Sequence, residues 1–181
     1  MQKSKKYILI GVLVLIVLFV GYKIVFGRNK PSQANNNTSS AVPQKLQTLN
    51  KEFTFPIATN TDGKQINMKF TLQDASFNKQ IVVQGQNATA VSGRIFLIVA
   101  LKIANDFNQS ISINTRDYVR LSVNGDENTW LAPDIHNDPV EVQAISTKFT
   151  RVGFAINSTD KNLILRIGEI KGDKQKIKLD L

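Results

Sequence analysis

The sequence predicts an all-β fold, a two-sheet antiparallel sandwich over residues 51–181, preceded by one apolar membrane segment and a polar linker. Three observations predict it. Beyond Asn50 the apolar residues recur with a period of two, the spacing of half-buried strands. At least seven such runs are separated by turn-forming residues, and no helical stripe longer than two turns interrupts them. Residues 7–22 carry no charge, and the apolar character resumes after Lys23.

Tyr7 to Phe26 has the roughly 20 residues needed to cross about 30 Å of hydrocarbon. Lys23 can snorkel to the headgroups, and Tyr7 and Tyr22 suit the interfacial belts. Lys3, Lys5 and Lys6 resemble the start of a signal peptide. Tyr22 to Lys30, however, offers bulky and basic residues where cleavage needs small ones, so an uncleaved signal anchor is expected. Residues 1–6 are then a cytoplasmic tail and the C-terminal domain is extracytoplasmic. Residues 27–50 are polar, with Asn35 to Ser40 flanked by Pro31 and Pro43, and read as a flexible linker.

In the domain, Phe53, Phe55 and Ile57 alternate with polar residues, as do Ile66, Met68, Phe70 and Leu72. Ile95, Leu97, Val99, Leu101 and Ile103 form one face of a long strand. Its other face, Phe96, Ile98 and Ala100, is also apolar, which predicts a central position. Val119 to Val123, Val152 to Ile156 and Leu163 to Ile167 follow, and the last run places Ile177, Leu179 and Leu181 inward. Turns are expected at Thr61–Gly63, Asn105–Asn108, Asn124–Gly125, Asn157–Asp160 and Lys171–Asp173.

Composition narrows the functional classes. With 42% hydrophobic and 20% charged residues among 181, the chain is not collagenous, coiled-coil or wholly disordered. It has no cysteine, which removes disulfides, thiolate metal sites and a Cys nucleophile. The net charge of +9 is concentrated at the N-terminus, where residues 1–30 hold six basic and no acidic groups. The remainder carries 17 basic against 14 acidic groups, a near-balance that gives no reason to expect a nucleic-acid partner.

Ser76 and Lys79 match a Ser-x-x-Lys nucleophile pattern, but its companion elements are missing and the segment reads as strand. Asp134, His136, Asp138 and Glu141 form the densest polar constellation. An extended backbone would align three of them as a divalent-cation site, while a solvated end loop is the reading we favour. Trp130 offers a flat face for ligand stacking, against the commoner role of a core residue between the sheets. Asn36, Asn37, Asn87, Asn108 and Asn157 begin glycan-acceptor triplets, usable only on an exported domain in a cell with the transferase. Lys174, Lys176 and Lys178 share one strand face. They are read as guards of a terminal edge strand, with an anionic docking strip as the alternative. No cofactor is expected.

Three stretches in order resemble the immunoglobulin-like domain known as domain of unknown function 4352. They are Val99, Leu101, Ile103 and Asn105 at a turn; Val119, Leu121, Val123, Gly125, Trp130 and Pro133; and the paired runs Val152–Ile156 and Leu163–Ile167. The family usually has a Pro-Gly-like turn before the strand containing Phe154, and Val140 to Thr147 has neither residue. The resemblance implies an immunoglobulin-like sandwich, tethered outside a prokaryotic cell and without a common catalytic site. The expected function is therefore a non-catalytic binding or scaffold module of the cell envelope, anchored in membrane lipid through Tyr7 to Phe26. Its partner would be another envelope protein or a surface glycan. The alternative is an accessory subunit of a larger membrane complex, and a sugar- or metal-dependent hydrolase would need acids gathered around Trp130 or His136.

Overall fold

The computed structural model describes residues 44–59, 62–63 and 65–181. The expected membrane segment, the linker as far as residue 43, and Asn36 and Asn37 lie outside these. Among the described residues no helix is long and apolar enough to cross a membrane. In chain order the strands are β1 (Lys45–Thr59), β2 (Gln65–Asn78), β3 (Gln80–Val83), β4 (Gln86–Thr89), β5 (Arg94–Asn105) and β6 (Ile111–Ile113). After a 3₁₀ turn at Thr115–Asp117 come β7 (Val119–Ser122), β8 (Ile135–His136), β9 (Val140–Val142), β10 (Ser146–Asn157), β11 (Ile164–Ile167) and β12 (Gln175–Lys178).

All pairings are antiparallel. One sheet has the order β1-β2-β5-β10-β8, a second has the order β12-β11-β7, and β3–β4 and β6–β9 form two-stranded ribbons. The inner faces of the two larger sheets share one core, in which Met68, Phe70, Leu97 and Val99 of the first meet Val119, Leu121, Leu165 and Ile167 of the second. That is a β-sandwich built by the period-two pattern. β5 lies between β2 and β10, with its whole odd-numbered face from Ile95 to Ile103 buried. On its other face Ile98 is buried while Phe96 and Ala100 are half-buried. Gly153 opens the space there, since a Cβ on it would stand 3.2 Å from that of Ile135 on β8.

The strands depart from the expected pattern in two places. β1 begins at Lys45, inside the segment expected to be linker, and pairs Lys45–Thr48 with Asp74–Phe77 before the register breaks at Asn50, whose φ is 47°. Main-chain bonding carries that part, and Leu46 points to solvent, so no apolar period marks it. The turn before β10, which lacks Gly and Pro, is made by Ile145 at φ 50°, a strained conformation for a β-branched residue; its N–H donates to Phe107 O at 3.0 Å. The short β3, β4, β6, β8 and β9 gave no readable period.

Asn105, fully buried at the end of β5, fixes the turn that follows. Its Nδ2 donates to the carbonyls of Gln109, Val142 and Gln143 at 2.8–3.2 Å, and its Oδ1 accepts from Phe107 N at 3.1 Å. Asp74 sits half-buried on β2 at a second register break, and burial raises its carboxyl above the ordinary carboxylate value. The folded state therefore holds this proton more tightly than the unfolded chain, so its contribution to stability declines as pH rises through the two values. Asp74→Asn should raise the melting temperature at about pH 7 and give no gain at about pH 3. A gain of equal size at both pH values would sink that account.

Candidate functional site

An open cleft of about 730 Å³ lies at one end of the sandwich, within the range of ligand sites. Its walls are three runs of consecutive residues: Pro56–Ala58 of β1, Gln109–Asn114 along β6, and Glu169–Gly172. A strand seen face-on presents alternate residues, so unbroken runs mean that main-chain edges form the walls. β1 has β2 on one side only, and β6 has only β9. Pro56 lacks an N–H and the register breaks between it and Ala58, which limits strand addition on the β1 side. The donors and acceptors left for an extended segment come from β6.

Tyr118 belongs to the lining. Its ring centroid lies 4.8 Å from that of Phe55 and 5.5 Å from that of Phe70, which ties the cleft to the core. Burial, and then the negative charges of Glu169 and Asp117, push its phenol above the usual tyrosine value. The hydroxyl therefore stays protonated and can donate to a ligand. Gly168 N donates to Tyr118 O at 3.0 Å, and a Cβ on Gly168 would collide with Asp173 O, so this glycine lets the 169–172 wall approach. The cleft combines an apolar lining (Ile57, Ile111, Ile113), a phenol, two carboxylates and Lys171. The sequence carried no signal for it, because its walls come from segments far apart in the chain.

The polar constellation does not converge. Asp138, whose side chain is 3% exposed, accepts from Thr115 N at 2.7 Å, Thr115 Oγ1 at 2.6 Å and Arg116 N at 3.0 Å. This carboxylate is a staple between the loop and the 3₁₀ turn. His136 Nδ1 lies 3.3 Å from Asp138 Oδ2, whereas Asp134 and Glu141 are exposed elsewhere. Among the described residues no three His, Asp or Glu side chains are grouped to hold a metal ion.

Trp130 is not the inter-sheet core residue expected. Leu131 bridges Leu121 and packs against the core, so strand alternation turns Trp130 outward, where it is half-buried. Its Nε1 donates to Glu127 O at 2.8 Å, and the Arg166 guanidinium lies 5.0 Å from the ring centroid. Among the acceptor asparagines, Asn87 and Asn108 are exposed on β4 and in the β5–β6 connection. Asn157 is exposed but engaged, accepting from Arg94 Nη1 at 3.1 Å. Ser76 and Lys79 are not paired: Ser76 Oγ accepts from Asn78 Nδ2 at 3.0 Å, and Lys79 Nζ donates to Arg94 O at 3.3 Å. β12, carrying Lys176 and Lys178, is an edge strand as expected.

Fold and cleft together define an all-β sandwich protein with an open cleft at one end. No protein-family model matches the chain, and no curated protein matches it. Among solved structures it is similar to a conserved hypothetical protein from Bacillus anthracis, with a TM-score of 0.52 and 15% identity over 77% of this chain and 100% of that one. It is also similar to an uncharacterized β-sandwich protein from Clostridium difficile, with a TM-score of 0.48 and 16% identity over 76% of this chain and 99% of that one. A functionally unknown protein from Listeria monocytogenes has a TM-score of 0.48 and 10% identity over 76% and 85%. The first of these likenesses shows the fold, and at such identities nothing more.

Proposed function

We infer that this chain is a membrane-anchored binding module of a prokaryotic cell envelope, with a non-catalytic, immunoglobulin-like domain of the kind found in domain of unknown function 4352. The carrying observation is the end cleft, whose main-chain walls and Tyr118 suit recognition of an extended segment of another envelope component. The apolar run Tyr7 to Phe26, followed by a polar linker, supports placing that cleft outside the membrane, on a tether. The residues around it offer binding groups: a protonated phenol, carboxylates and strand-edge amides.

The test is protease protection on intact cells carrying tags at both termini, with a photo-crosslinker at the rim residue Ile170, which is 63% exposed. An accessible C-terminal tag, a protected N-terminal tag and a cross-link to an envelope component are expected. A protected C-terminal tag would place the sandwich in the cytoplasm and end this reading. Co-purification with membrane proteins that survives loss of the cleft but not of Tyr7 to Phe26 would instead mark an accessory subunit.

A further inference from the structure

The end cleft carries a charge imbalance that the fold leaves unanswered. Three charged residues line it: Asp117 at the end of the 3₁₀ turn, and Glu169 and Lys171 from the segment after β11. Both carboxylates are half-buried, as is Tyr118, whereas Lys171 is exposed. Among the described residues neither carboxylate is paired with a cation, and no hydrogen bond reaches either of them or the Tyr118 hydroxyl. Lys174, just beyond this wall in the chain, directs its ammonium to the carbonyls of Ile170 and Gly172 instead, at 2.9 and 3.0 Å. The Glu169 carboxylate stays against the wall, with Oε2 3.5 Å from where a Cβ on Gly172 would stand.

Charge partly withdrawn from water without a partner is costly, and two like charges directed at one place add to that cost. The fields of Asp117 and Glu169 do meet, since both act on the Tyr118 phenol. One positive group placed there would offset both. The acceptors offered to it are two carboxylates and a phenol oxygen, which suit the several N–H donors of an ammonium or guanidinium and repel an anion. A calcium ion takes about six oxygens or more, and among the described residues no three acidic or His side chains are grouped. Ile57 and Ile111 line the same cleft, and in an extended segment residues two apart turn to the same side.

We propose that the cleft selects an extended segment of a partner protein that presents a lysine or arginine, its cation shared by Asp117, Glu169 and the Tyr118 hydroxyl, with apolar residues two positions to either side against Ile57 and Ile111. This rests on the reading of the cleft as a site for an extended segment, and adds the residue type that the segment must present.

The experiment titrates the full-length protein, in zwitterionic detergent, with three heptapeptide mixtures followed by calorimetry. Each mixture has apolar residues at the second and sixth positions, Ser or Thr at the others, and lysine, norleucine or glutamate at the centre. The lysine mixture should bind about tenfold more tightly than the norleucine one, the worth of one charge-assisted hydrogen bond, and the glutamate mixture should not bind. Added salt should shrink the lysine advantage. Glu169→Gln and Asp117→Asn should each remove most of that advantage while leaving norleucine affinity and the melting temperature unchanged, and Lys171→Gln should tighten lysine binding by removing a like charge. Equal affinity for the lysine and norleucine mixtures would overturn the proposal and leave the cleft a peptide site, as would a lysine advantage that survives in the Asp117→Asn/Glu169→Gln double variant. No binding of any mixture, together with a cross-link from Ile170 to an envelope component, would overturn the cation site alone; no binding and no cross-link would remove the function beneath it as well. Self-association of the protein that is lost in Glu169→Gln would overturn the proposal in favour of a second copy of this chain.

Discussion

Phe70→Ala is expected to lower the unfolding free energy by about 3–5 kcal/mol, the usual range for emptying a fully packed aromatic site. Phe70 is completely buried on β2, opposite Phe53 of β1 and Ile103 of β5, and so lies inside the larger sheet rather than at its edge. Its ring meets Phe55 edge-on at 5.7 Å and stacks on Tyr118 at 5.5 Å. The substitution therefore opens a cavity between the sheets and removes support from the cleft. Urea unfolding followed by Trp130 emission is the measurement, and a loss below about 1 kcal/mol would show that this region is not packed as described.

Asp138→Ala is expected to cost about 2–4 kcal/mol, because it leaves the N–H and Oγ1–H of the fully buried Thr115, and the more exposed Arg116 N–H, without their acceptor. Asp138→Asn, which keeps one acceptor oxygen, should recover part of the loss. Asp134→Ala, on an exposed side chain of the same segment, should change stability by no more than about 0.5 kcal/mol. Thermal denaturation of the three variants, with and without added zinc, separates a structural staple from a metal ligand. Stabilisation by zinc that disappears in Asp134→Ala would restore the cation site that the sequence spacing offered.

The same four residues show where sequence reading ends. Spacing in Asp134, His136 and Asp138 allowed convergence on one face, with Glu141 close by in sequence, but the chain instead turns Asp138 back onto the 3₁₀ segment. Trp130 was misplaced for a related reason. Its neighbour Leu131 takes the inward position by pairing with Leu121, and the sequence does not say which of two adjacent apolar residues the register will bury. Lys176 and Lys178 were legible as part of an edge strand, whereas Lys174, expected on the same face, precedes β12 and donates to the carbonyls of Ile170 and Gly172. That Arg166 stands between Lys176 and Arg120 was not legible, since Arg166 and Arg120 lie 10 and 56 positions before Lys176 in the chain.

By itself the sequence determined the fold class and most of its long strands. Burial on one face writes a period of two into any strand long enough to show it, and Asn, Asp and Gly write the turns between. It also determined that the strand from Arg94 to Asn105 is central, because its apolar residues occupy both faces. Only the tertiary structure decided the pairing register, and with it the cleft beside Tyr118 and the alignment of Arg120, Arg166 and Lys176 on the smaller sheet. Both are made of residues distant in the chain, brought together by main-chain hydrogen bonds between strands, and such bonds are the same whatever side chains they align.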